Sequence, residues 1–189
     1  MSYNRRNFIK TSSLGAIATS TLSINCQNNL SNTREGIYMG DFADKPIKNI
    51  RAAFIGLNRG GSHLRNFATI QNTEVVALCD LYEENVKREL ERLYQYNSNT
   101  SNVKTYWGDK NKWKIMLKEM RPDIVFISTN WNNHAPMAIQ SMIDGAHAFV
   151  EVPMAVTLEE MWDIVNTSEK TQKHCMLSLI HISEPTRLL

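Results

Sequence analysis

A chain of 189 residues has the length of one ordinary domain, enough for a sizeable core once its ends are set aside. Its formal charge of +2, with 21 Lys and Arg scattered among 19 Asp and Glu, excludes the basic face of a nucleic-acid binder and the acidic block of a charged tail. The 3 cysteines, Cys26, Cys79 and Cys175, lack the spacing of a zinc site or disulfide framework, so no metal is expected, and no run reaches the roughly 20 apolar residues of a membrane span.

The first thirty residues read as an address. The stretch NRRNFIKTSSLGAIATSTLSINC opens with Arg5 and Arg6, continues through Phe8, Ile9 and Lys10, and carries a modestly apolar run of small residues from Leu14 to Ile24. This is the pattern of a twin-arginine export signal, which serves proteins that cross the membrane already folded and often cofactor-loaded. It predicts a signal segment over residues 1–30 and a periplasmic destination, with lipid attachment at Cys26 as an option that Asn25 disfavours. A frayed basic terminus is the plainer alternative. Residues 31–47 are expected to be a linker.

From Ile50 onward, short apolar runs alternate with segments of helical period. IRAAFIG reads as a buried strand, and GSHLRNFATIQ as a helix with Leu64, Phe67, Ala68 and Ile70 at helical spacing. EVVALCD is a second strand; YEENVKRELERLYQY is a charged helix with Val86, Leu90, Leu93 and Tyr94 on one face. VKTYWG is a short third strand, followed by a helix DKNKWKIMLKEM with Asp109 as its N-cap. PDIVFIST is a fourth strand, HAPMAIQSMIDG a helix stopped by Gly145, and HAFVEVP a fifth strand. TLEEMWDIVNTSEKT is a helix opened by the capping-box pair Thr157 and Glu160, after which HCML begins a sixth strand. Cys79 and Cys175 are expected to be small buried strand residues. The alternation predicts an α/β fold, a doubly wound parallel sheet over residues 48–177, whose ligands bind beyond the carboxyl ends of the strands.

That rule selects the residues to consider. Gly56, Asn58 and Gly61 occupy the positions of a GxGxxG turn, with Arg59 and Gly60 between them. The first glycine permits the turn, the last lets helix pack against strand, and amides at the helix start attract phosphate. Asn58 departs from the pattern: it tolerates a left-handed backbone, but its side chain takes space where the main chain would approach a pyrophosphate. Asp80 ends the second strand 24 positions after Gly56, where an acid accepts hydrogen bonds from an adenosine ribose and repels a 2′-phosphate, which favours NAD over NADP. Tyr82 is placed to lie against the adenine. The fourth strand ends in Ser128, Thr129 and Asn130; Trp131 and His134 would frame the crevice on the nicotinamide side. The fifth ends in Glu151, Val152 and Pro153, with Glu151 within reach of the nicotinamide ribose. The plainer alternatives are a tight corner at the glycines, a helix cap at Asp80, a first-turn helical residue at His134 and a structural acid at Glu151.

With AFIGLNRGGSH, VVALCDLYEENV, PDIVFISTNWNNHAPMAI and GAHAFVEVPMAVTLEEMWDIV in view, the chain resembles the Gfo/Idh/MocA oxidoreductases over about Lys48 to Leu177. The resemblance implies a Rossmann NAD-binding domain followed by a C-terminal α+β domain that holds a sugar or polyol. Many members carry Glu-Lys-Pro where this chain has Glu151, Val152 and Pro153, the lysine assisting proton transfer; Val152 has no such capacity. Glu-Val-Pro, an exported N-terminus and a tryptophan before the histidine look like the family 109 glycoside hydrolases. In that branch a sugar is oxidised at C3, loses its C1 substituent, takes up water and is reduced again. The resemblance assigns Gly56, Asn58, Gly61 and Asp80 to the pyrophosphate and adenosine ribose, Asn130 and His134 to the nicotinamide side, and Glu151 to its ribose. It places the catalytic tyrosine and histidine in the second domain, and it allows a homo-oligomer of the complete protein.

The last stretch does not continue the pattern. LSLIHISEPTR, Leu177 to Arg187, resembles the translation of a transposase adapter used in preparing sequencing libraries. Residues 178–189 are therefore expected to be a non-native tail on a coding sequence truncated before the α+β domain. The function expected is that of an NAD-binding domain from an oxidoreductase acting on a sugar or glycoside. A family 109-like NAD-dependent glycosidase is the narrower alternative, and a non-catalytic nucleotide-binding module the third.

Overall fold

In a computed structural model of the chain, residues 38–40, 42–96 and 102–178 are described. The expected signal segment with Arg5, Arg6 and Cys26, the first part of the expected linker, and the tail from residue 179 lie outside the described residues.

The elements alternate as β1 (Ile50–Ile55), α1 (Gly61–Phe67), β2 (Thr73–Cys79), α2 (Glu83–Tyr96), β3 (Lys104–Tyr106), α3 (Lys112–Met120), β4 (Ile124–Ile127), α4 (Trp131–Ile143), β5 (His147–Val150), α5 (Leu158–Thr171) and β6 (Cys175–Leu177). The strands form one six-stranded sheet in the order β3-β2-β1-β4-β5-β6, each neighbouring pair parallel. This is the doubly wound α/β arrangement that the alternation predicts, and both faces of the sheet are covered.

The period of two along the strands feeds two cores. On one face Ala53, Ile55, Val125, Ile127, Ala148 and Val150 pack under Met116 and Leu117 of α3, Ala138 and Met142 of α4 and Ile164 of α5. On the other, Ala52, Phe54, Leu78 and Phe126 meet Leu64 and Phe67 of α1 and Val86 and Leu93 of α2. Register aligns Phe54, Phe126 and Phe149 across β1, β4 and β5. Phe54 and Phe126 stack with ring centroids 4.6 Å apart, and Phe126 and Phe149 follow at 4.7 Å, forming an apolar floor beneath α1.

Several local expectations shift. Asp109 does not cap α3; Asn111 does, and the Asp109 carboxylate accepts the Asn111 amide at 2.6 Å, an Asx turn that delays the helix. Tyr94 is exposed, not buried with Val86 and Leu93; the buried face of α2 includes Glu89 instead. Cys79 is buried as expected, whereas Cys175 on the terminal strand is half-buried. The capping box of α5 forms: the Thr157 hydroxyl accepts the Glu160 amide at 3.1 Å, and the Glu160 carboxylate accepts the Thr157 amide at 3.3 Å.

Within the expected linker, Phe42 and Asp44 are tied to the opposite end of the sheet from its ligand edge. Asp44 Oδ2 accepts from Lys173 Nζ at 2.8 Å and from His147 Nε2 at 3.2 Å, while His174 Nε2 reaches the Phe42 carbonyl at 3.1 Å. The Lys173 hydrogen bond, the Lys45 amide and the Lys173 charge together bring the Asp44 carboxyl from 3.8 down to about 2. Its contribution to stability is therefore complete above about pH 4 and is lost as pH falls toward 2. Burial and the Lys173 charge hold the His147 imidazole below its usual 6.5, which adds acid sensitivity below that value. Asp44→Asn is expected to flatten the decline in Tm between pH 4 and pH 2; an unchanged acid profile would show that the tether contributes nothing.

Candidate functional site

The ends of β1, β2 and β4 meet where strand order reverses, and a crevice of about 570 Å³ opens there. Gly56, Asn58 and Arg59 form its wall after β1, Asp80 and Tyr82 its wall after β2, Asp109, Lys110 and Trp113 its approach from α3, and Ser128, Thr129 and Asn130 its wall after β4.

The glycines of the turn divide the work differently from the motif. Gly56 has φ +84, and a Cβ there would lie 2.4 Å from the Ser128 carbonyl oxygen, so the turn needs glycine both for its backbone and for the close pass of the β4 end. Gly60, to which the motif gives no role, carries the tightest approach: its Cβ would stand 2.1 Å from the Gly56 oxygen. Gly61 leaves room not for a strand but for the Glu89 carboxylate, 2.7 Å from where a Cβ would be. Asn58 is exposed and has no positive φ, so its tolerance of left-handed backbone is unused.

Among the described residues, the amides of Asn58, Arg59, Gly60 and Gly61 make no hydrogen bond, whereas those on either side do: Leu57 N–H donates to Asp80 Oδ2 at 2.7 Å and Ser62 N–H to the Arg59 carbonyl at 3.3 Å. Two of these four, Asn58 and Arg59, line the cleft, and free donors there suit an anion. Asp80 is doubly employed. It accepts from Leu57 N–H, from Tyr82 N–H at 3.0 Å and from Asn85 Nδ2 at 3.1 Å, leaving roughly one of about four acceptor sites for a ligand hydroxyl. This donor and acceptor set fits the pyrophosphate and adenosine ribose of a dinucleotide.

The nicotinamide-side expectations divide. Asn130 is the N-cap of α4 and lines the crevice, with its Oδ1 accepting from Asn133 Nδ2. Trp131 is 63% exposed and, with Thr129, Asn130 and Asn132, lines a shallower depression that shares residues with the crevice. His134 does not frame the crevice: it is 1% exposed, with Nδ1 2.6 Å from the Pro153 carbonyl oxygen and Nε2 3.1 Å from that of Thr129. Lying on the same face of α4 as Ala135, Ala138 and Met142, it joins the β4 and β5 exits from beneath. Glu151, Val152 and Pro153 do not line the crevice either; Val152 is exposed, and the Val152–Pro153 peptide is cis.

Glu151 has a partner the sequence did not reveal. His63 on α1 is buried, and its Nε2 lies 2.6 Å from Glu151 Oε1, with Arg59 Nε 3.9 Å from the same oxygen. Burial works against ionisation of Glu151, but the His63 hydrogen bond and the Val152 amide outweigh it and hold the carboxyl below its usual range. His63→Gln is expected to move the Glu151 pKa upward toward its ordinary value in an NMR titration of the side-chain carboxyl; no movement would mean that His63 does not hold the charge. Cys79 lines the crevice but is no nucleophile, because burial, reinforced by the Asp80 charge, pushes its thiol up to about 12. Among the described residues, no group of three or more His, Cys, Asp or Glu is placed to hold a metal, and no helix is long and apolar enough to cross a membrane.

Residues 50–179 match the family model of the Gfo/Idh/MocA proteins, an oxidoreductase family with an NAD-binding Rossmann fold. The chain is 48% identical over 141 residues to Glycosyl hydrolase family 109 protein 2 of Akkermansia muciniphila, across 74% of the chain and 29% of that protein. It is 36% identical over 179 residues to Glycosyl hydrolase family 109 protein 1 of Shewanella sp. strain MR-4, across 92% of the chain and 39% of that protein. The chain thus spans well under half the length of these curated relatives. In fold it is similar to scyllo-inositol dehydrogenase from Lactobacillus casei with bound NAD(H) and scyllo-inositol, at 22% identity and TM-score 0.59 over 69% of the chain and 36% of that one. It is also similar to the WlbA dehydrogenase from Bordetella pertussis in complex with NADH and UDP-GlcNAcA, at 20% identity and TM-score 0.58 over 70% and 36%. With the switch-point crevice, the glycine turn and the matched span in agreement, the chain belongs to the Gfo/Idh/MocA oxidoreductase family and carries its NAD-binding Rossmann fold.

Proposed function

We propose that this chain is the nucleotide-holding part of an enzyme that acts on a sugar or glycoside by hydride transfer to and from a nicotinamide cofactor, NAD in preference to NADP. One observation carries the reading: the turn from Asn58 to Gly61 has free amides, and its Asn58 and Arg59 line the same crevice as the Asp80 carboxylate. The amides supply partial positive charge for a pyrophosphate, and Asp80 keeps an acceptor for a ribose hydroxyl while opposing a 2′-phosphate.

When bound, the dinucleotide supplies the hydride acceptor and donor that protein side chains lack. The residues' own work is placement. Asn130 and Trp131 shape the nicotinamide side, His134 holds the β4 and β5 exits together beneath it, and Glu151, kept ionised by its partners, is assigned to the nicotinamide ribose. Val152 offers no atom that moves a proton, so acid–base chemistry is assigned to a C-terminal substrate domain beyond this fold. Self-association of the complete protein belongs to the same proposal.

A second reading, the redox-cycling glycosidase, is favoured by Val152 and by the family 109 names of the curated relatives. Assays of the complete gene product separate the two. Net NADH formed from a free sugar supports a dehydrogenase; aglycone released from an aryl glycoside with no net NADH supports the glycosidase; neither signal would sink both. Export is proposed on Arg5 and Arg6. Replacing both by Lys is expected to leave the protein in the cytoplasmic fraction, and unchanged periplasmic delivery would refute the signal.

A further inference from the structure

Glu89 is the odd member of α2. It is 1% exposed, on a helix whose other acids are solvated, and it lies on the apolar face between Val86 and Leu93. Its Oε1 accepts from Arg88 Nε at 3.1 Å and Arg92 Nη1 at 2.8 Å, and its Oε2 from Arg65 Nη1 at 3.1 Å. Two of these guanidinium groups belong to α2 itself, but Arg65 belongs to α1, so the carboxylate couples the two helices. The group is also pressed against the start of α1. A Cβ on Gly61 would meet Glu89 Cδ and Oε2 at 2.7 Å and Oε1 at 3.0 Å, so both oxygens lie against the residue that closes the run of free amides.

A buried carboxylate with every strong donor committed has little freedom to turn, and its position sets how close α1 can come to α2. The glycine turn is held on its crevice side by Leu57 N–H on Asp80. Glu89 is the corresponding stop at its far end.

We propose that Glu89 is a positioning residue for the dinucleotide: wedged between Gly61 and the three arginines, it sets the turn whose free amides meet the pyrophosphate. This rests on the nucleotide-binding reading above. The sign of the effect separates positioning from plain electrostatics. Neutralising an acid near an anion strengthens binding if charge alone matters; it weakens binding if the acid holds the amides in place.

The experiment titrates NAD, ADP and adenosine into the full chain and into Glu89→Gln, reading crevice fluorescence from Trp113, with thermal unfolding as the check on folding. Positioning predicts NAD and ADP weakened roughly tenfold or more and adenosine changed less than about twofold. Diphosphate binding that is unchanged or tighter, or a loss shared equally by adenosine, overturns the inference. Where Glu89→Gln does not fold, Arg65→Gln keeps the carboxylate and removes its tie to α1, and the same selective loss is required of it. A wild-type chain that binds neither NAD nor ADP defeats the nucleotide reading itself, an outcome distinct from wild-type binding that Glu89→Gln leaves intact.

Discussion

Gly56→Ala is expected to destabilise the domain by about 3 kcal/mol and to lower Tm by on the order of 10 °C. Two costs combine. Alanine at φ +84 is strained by itself, and the added methyl would stand 2.4 Å from the Ser128 oxygen and 2.7 Å from its carbonyl carbon, which are backbone atoms of the β4 exit and cannot swing aside as a side chain can. The clash is relieved only by parting β1 from β4 at the crevice, so NAD affinity is expected to fall by roughly a hundredfold even at temperatures where the variant remains folded. Circular-dichroism melts and nucleotide titration on the same samples test both halves. A variant with wild-type Tm and affinity would show that the turn is not built as described.

Asp80→Ala is expected to have a comparable effect on binding through different physics. Removing the carboxylate strands the amide of Leu57, a fully buried residue, and also the Tyr82 amide and the Asn85 side chain that hold the β2 exit. An unpaired buried amide costs about 1–3 kcal/mol. On the proposed reading the ligand loses its ribose acceptor as well, so the expected weakening of NAD is about a hundredfold. NADP should behave otherwise. Two like charges about 5 Å apart repel by roughly 3 kcal/mol at an effective dielectric of about 20, and that repulsion disappears with the acid. The preference for NAD is therefore expected to narrow by about tenfold or more in Asp80→Ala, measured as the ratio of the two dissociation constants. A preference that survives the substitution would place the discrimination elsewhere, with Asp109, the other acid of the crevice wall, the next residue to test.

Much of this fold is legible in the sequence because the central strands β1, β2 and β4 are almost wholly buried and read as apolar runs. The Thr157 and Glu160 capping box and the glycine at 145, which adopts φ +94, behave as their local chemistry requires. Asp109 misleads because an Asx turn and an N-cap share residue preferences and differ by two positions. The parts of the site that depend on distant partners were hidden. His63 and Glu151 are 88 positions apart, and nothing in either neighbourhood announces the pair. Glu89 left a faint trace: on α2 it falls three residues after Val86 and four before Leu93, so an acid interrupts an otherwise apolar stripe. His134 could have been read in the same way. Its helical phase matches Ala138 and Met142, which turns the ring toward the sheet instead of the ligand. The motif's own logic also misassigned Gly61 and gave Gly60 no role, because whether a Cβ would strike strand, turn or carboxylate depends on packing that a glycine pattern does not encode.

The most direct test of the account is calorimetry on the full chain, with NAD and NADP as paired titrants at fixed ionic strength. The account predicts saturable one-site heat with NAD and at least about tenfold weaker binding of NADP. Absence of heat with both the oxidised and reduced forms of NAD, or tighter binding of NADP, would contradict it.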